Sequence, residues 1–131
     1  MTLALTLVPS LIIVGIFIYS DKFTEPGPLI FQVFFLGVAL CIPAGYLNDW
    51  LIWSRHQPEF YTFLAAITEE PLKFLVLYLF LKNRTEFNEP MDAIVYGTLV
   101  SLGFATLENL QYVYFVDAEV APGDIAILRA L

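Results

Sequence analysis

The chain has 131 residues, 59% of them apolar and 16% aromatic. With a mean hydropathy of +0.74 it reads as one membrane-embedded domain, not a soluble globule. Thirteen acidic against six basic residues give a net charge of −7, which argues against nucleic acid as a partner. The single cysteine, Cys41, excludes an internal disulfide and reads as a small helix-packing residue.

Residues 2–19 are apolar apart from hydroxyls, contain Pro9 and are just long enough to span a bilayer. They lack the basic start and small-residue cleavage site of a signal peptide and read as a retained first helix. Residues 20–28 collect charge, proline and glycine and read as a loop. Residues 29–53 form a second apolar stretch ending in Asn48, Asp49, Trp50 and Trp53. The tryptophans suit a membrane interface, and Asp49 reads as lying at headgroup depth. Residues 54–59 form a polar turn with the only histidine, His56, read as a solvated loop residue and not a metal ligand.

Residues 60–81 are the third expected span, 82–90 a charged loop, and 91–116 the fourth span. In that span Gly97, Ser101, Gly103 and Ala105 are small enough to allow close helix packing, and the small residues of the Ser101–Ala105 stripe would let the third helix approach. Residues 117–124 read as an acidic turn and 125–131 as the start of a fifth helix, whose apolar residues would have nothing to pack on. The expectation is therefore an all-α polytopic transmembrane bundle, four spans plus the start of a fifth helix, forming the N-terminal part of a longer domain. Lys22, Lys82 and Arg84 lie in odd-numbered loops, against Arg55 and Arg129 on the other side. The positive-inside rule then puts the N-terminus outside. Short loops without disulfides fit a bacterial or archaeal inner membrane.

The third span carries an unusual stretch, Thr68-Glu69-Glu70-Pro71-Leu72-Lys73. At a helix centre each charge opposes insertion by roughly 2.5–3.5 kcal/mol, so three unpaired charges would oppose it by about 8–10 kcal/mol. At 100° per residue, Lys73 reaches either Glu69 or Glu70. The acid left over must be protonated, bound to a cation or wetted by a cavity. Pro71 has no N–H for the Ile67 carbonyl, which loosens the helix beside these charges.

The fourth span has its own acid, Glu108, followed by Asn109. Glu69 lies about 13 Å from residue 60 and Glu108 about 12 Å from residue 116, both ends being on one membrane face. The two acids thus share a depth. Ser101, Ala105, Glu108 and Tyr112 fall on one stripe, from which Asn109 and Tyr112 are placed to add hydrogen bonds. Carboxylates gathered in this way suit general acid–base work or metal binding.

Glu69-Glu70-Pro71-Leu72-Lys73 fits an EExxK motif, and Phe104-Ala105-Thr106-Leu107-Glu108-Asn109 fits an FxxxEN motif in the next helix. With the intervening Asp92-Ala93-Ile94-Val95-Tyr96-Gly97, these residues resemble the PrsW family of intramembrane metalloproteases, distantly similar to the CPBP (Rce1-like) proteases. The resemblance covers roughly residues 60–112; the first two helices match only in being hydrophobic. It implies a longer protease domain that cleaves a membrane-associated protein such as an anti-sigma factor. By the same resemblance Glu69, Glu70 and Glu108 are catalytic candidates, Lys73 and Asn109 support them, and Glu70 and Glu108 are candidate ligands for Zn2+. The family also places a histidine in a further helix, and this chain has no such motif, so taken alone it is expected to be inactive. Carboxylates alone are poor zinc ligands.

Three other readings fit the same acids. A buried ion network would fix helix packing only. A proton or cation transporter subunit would carry charge through them, although the inverted repeats of that class are not visible. A noncatalytic module would bind a membrane protein without cutting it. Oligomeric state is not encoded in any of these patterns.

Overall fold

A computed structural model describes residues 2–20, 25–53 and 63–115. All regular structure among them is helical: α1 (Thr2–Ser20), α2 (Gly27–Asn48) continuing into a π-helical turn (Asp49–Trp53), α3 (Phe63–Leu81) and α4 (Pro90–Tyr114). The turn holding Arg55 and His56, the first residues of the expected third span, Lys22, the end of the expected fourth span and the expected fifth helix lie outside the described residues.

Two helices start earlier than their composition suggests, and proline is the reason in both. Gly27 and Pro28, expected in a loop, open α2, where the missing proline N–H is no loss and the Leu29 and Ile30 amides bond to the Pro26 carbonyl. Pro90 likewise opens α4, behind a reciprocal capping box between Glu89 and Asp92. The Asp92 carboxylate accepts the amides of Asn88 and Glu89, both at 2.8 Å.

Gly27–Ile52 and Pro90–Tyr114 are long and apolar enough to cross a membrane. α3 is interrupted by Glu69, Glu70 and Lys73. Packing gives the relative directions of the helices. Early residues of α2 (Leu29, Val33) meet early residues of α4 (Val95, Leu99) and the end of α3 (Leu81). Later residues of α2 (Leu40, Cys41, Ala44) meet Phe104 of α4 and Leu72 and Val76 from the middle of α3. α2 and α4 therefore run together and α3 runs against them. α1 packs on α4, with Val14 against the first of these cores.

α2 and α4 touch backbone to backbone. A Cβ on Gly37 would strike the Val100 carbonyl, and one on Gly103 the Phe34 carbonyl. Small residues in helix interfaces permit such close approach. The sequence suggested that the small residues of the fourth span admit the third helix; at Gly103 they admit the second. Gly97 and Ser101 instead border a cavity of about 440 Å³ between α3 and α4, and a Cβ on Gly97 would meet nothing within 4 Å.

The outward faces are apolar. Leu11, Phe31, Phe35, Trp50 and Phe74 are each at least 60% exposed. Removing such surface from water is worth about 25 cal/mol per Å², so these faces match lipid and not solvent.

Candidate active site

Lys73 is the hinge of the arrangement. It is 9% exposed although it carries a charge. Its ammonium lies 2.8 Å from Glu70 Oε1 and 3.9 Å from Glu69 Oε2. It also sits 4.2 Å from the centroid of the Phe104 ring, a cation–π contact. Lys73 closes the EExxK pattern and Phe104 opens the FxxxEN pattern, so this contact joins the two motifs directly.

Helix geometry sends the adjacent acids to different surroundings, because neighbouring residues are about 100° apart. Glu69 turns toward α2, its side chain 16% exposed, and its Oε1 accepts a 2.7 Å hydrogen bond from Asn48 Nδ2. Asn48 Oδ1 in turn accepts the Thr68 hydroxyl at 2.9 Å. The Leu64 and Ala65 carbonyls also lie near that hydroxyl, at 3.1 and 3.0 Å, so its one proton is shared among three acceptors. Glu70 is 67% exposed and lines the α3–α4 cavity. α3 continues through Pro71 as a single helix.

Glu108 lies on α4, partly buried, with Asn109 beside it. The buried Cys41 of α2 shares a core with Phe104 of the second motif, against which Leu72 of the first motif and Leu107 of the second also pack. Both motifs therefore pack on one part of α2. Tyr112 is 40% exposed.

Residues that the sequence did not single out complete the surroundings. Asn48, next to the aspartate read as a headgroup residue, holds Glu69. Cys41, read as packing, has its sulfur 3.8 Å from Gln111 Oε1. The only sequence signal for Asn48 was an amide at the end of an apolar run. Asp49 is exposed and borders a second cavity, about 310 Å³, with Tyr46 and Gln111.

The donors fit a metal poorly. Among the described residues no three His, Cys, Asp or Glu side chains gather as a metal site requires. The Lys73 ammonium occupies the place beside Glu70 and Glu69, at 2.8 and 3.9 Å, and zinc favours nitrogen and sulfur donors over carboxylates.

Residues 25–131 match the model of the PrsW family intramembrane metalloprotease. The chain is 36% identical over 129 residues to a Protease PrsW of Geobacillus kaustophilus, covering 94% of this chain and 54% of that protein. It is 36% identical over 108 residues to the Protease PrsW of Bacillus subtilis, covering 79% and 50%. Against the Protease PrsW of Oceanobacillus iheyensis it is 31% identical over 116 residues, covering 86% and 54%. The chain spans about half the length of the curated relatives it matches. No solved structure matches it.

Proposed function

Because the chain belongs to the PrsW family of intramembrane metalloproteases, we propose that it forms part of a peptidase that hydrolyses a membrane-associated protein. The observation that carries this reading is the Lys73–Phe104 contact, which docks the two acid-bearing motifs on each other. The proposal includes four spans, at about residues 2–19, 29–53, 60–81 and 91–116, followed by a fifth helix, in a bacterial inner membrane. An anti-sigma factor is the substrate the family resemblance suggests.

Glu69 takes a proton from a water whose oxygen attacks the scissile carbonyl; the C–N bond then breaks and the proton passes to the leaving amine. Lys73 balances the paired acids, and Asn109 faces the developing oxyanion beside Glu108. Metal, when bound, supplies Lewis-acid polarisation. The described residues do not complete a zinc site, so such a centre takes donors from elsewhere in the protein and none of these steps is assigned to it.

The test is proteolysis by the full-length protein in proteoliposomes, using single-span reporter peptides with a fluorophore and a quencher on opposite ends. Glu69→Gln and Glu108→Gln should each lower cleavage by about 10²–10⁴-fold, the range for a general acid or base, with insertion and helicity unchanged. Loss of folding in both variants would support the packing network instead.

A further inference from the structure

We infer that Asn48, contributed by α2, is a positioning residue that makes Glu69, and not Glu70, the acting carboxylate. The inference rests on the peptidase reading. Both ends of the Asn48 amide are engaged: Nδ2 donates to Glu69 Oε1 at 2.7 Å, and Oδ1 accepts from Thr68 at 2.9 Å. A flipped amide would set its oxygen against the carboxylate and its NH2 against the hydroxyl, so one orientation is selected. With Oε1 held, Glu69 turns Oε2 toward Lys73 at 3.9 Å, beyond a direct hydrogen bond. That oxygen carries no direct hydrogen bond among those described, and in the peptidase reading it is the one that takes the proton from water.

Glu70 stands differently. Its Oε1 is bound to Lys73 at 2.8 Å, and its side chain is 67% exposed and borders the α3–α4 cavity. It has no partner on α2 among the hydrogen bonds and ion pairs described. The backbone of α2 also changes at this point. The Asp49 amide is shared between the Gly45 and Tyr46 carbonyls, and the helix widens into the π-turn Asp49–Trp53 immediately after Asn48. Such turns re-aim side chains and recur at functional sites.

The experiment uses the full-length protein in the reporter assay, with a spectroscopic readout beside it. Infrared difference spectra against Glu69→Gln identify the Glu69 carboxylate band. In Asn48→Leu the band should shift, and kcat should fall about 10- to 100-fold with KM within about twofold, the pattern of a lost orienting bond. If Asn48→Leu fails to fold, Thr68→Val decides by the same two readouts, since it removes only the hydroxyl that orients the amide. An unmoved band, or a kcat within about twofold of the parent, overturns the inference. Failure of the peptidase reading looks different: the full-length parent would leave the reporter uncut while the band still shifts in Asn48→Leu. That result also overturns the inference, because no catalytic carboxylate would remain to be positioned.

Discussion

Replacing Gly103 by alanine adds one methyl group at the crossing of α2 and α4, where it meets the Phe34 carbonyl well inside van der Waals contact. The obstacle is backbone, which cannot rotate away as a side chain would. The helices must therefore separate, and overpacking of this kind costs about 1–3 kcal/mol. The same methyl at Gly97 meets nothing within 4 Å. There the only change is in helix propensity, where alanine is better than glycine by up to about 1 kcal/mol. Two identical substitutions on one helix should thus have opposite signs. Thermal unfolding in mild detergent, followed by far-UV circular dichroism, reads the difference. At roughly 3–5 °C per kcal/mol for a chain of this length, Gly103→Ala should melt several degrees below the parent and Gly97→Ala at or slightly above it. Equal shifts in the two variants would refute the backbone contact between α2 and α4.

The same melts test three other features. Lys73→Met leaves Glu69 and Glu70 without their shared cation, a loss of about 3–5 kcal/mol for a fully buried pair and less here because Glu70 is 67% exposed; adding Glu69→Gln should recover part of it, and no recovery would refute the pairing. Lys73→Met and Phe104→Leu combined in a double-mutant cycle should show coupling of about 0.5–2 kcal/mol, and strict additivity would show that the two motifs do not touch. Tyr96→Phe should cost about 1–3 kcal/mol, because the fully buried Tyr96 hydroxyl donates to Glu25 and ties the segment before α2 to the start of α4; an unchanged melting temperature would refute that bond.

The acids were legible in the sequence because charge inside an apolar helix is costly enough to stand out against its background. Their shared depth is an expectation that follows from the rise per residue alone. Which helix would pack against which was not legible. Gly37 lies in a run that is apolar on all sides, so nothing in its periodicity marks it as the partner of Val100. Prolines at 28 and 90 read as loop signals in the sequence because the same residue both interrupts a helix and opens one.

The larger omission concerns α2 as a polar partner. Two acids and one base on α3 raise the question of what else stabilises the second acid, and the sequence offered protonation, a cation or water. The geometry adds a fourth answer, a neutral amide from another helix. Asn48 donates to Glu69 without bringing a charge of its own, so the site keeps its acid excess. An amide costs far less than a charge to place at a helix end, which is why it left so faint a mark in the composition. Carboxylates in an apolar helix should therefore prompt a search of the preceding spans for Asn and Gln at the same depth. In this chain that search returns Asn48.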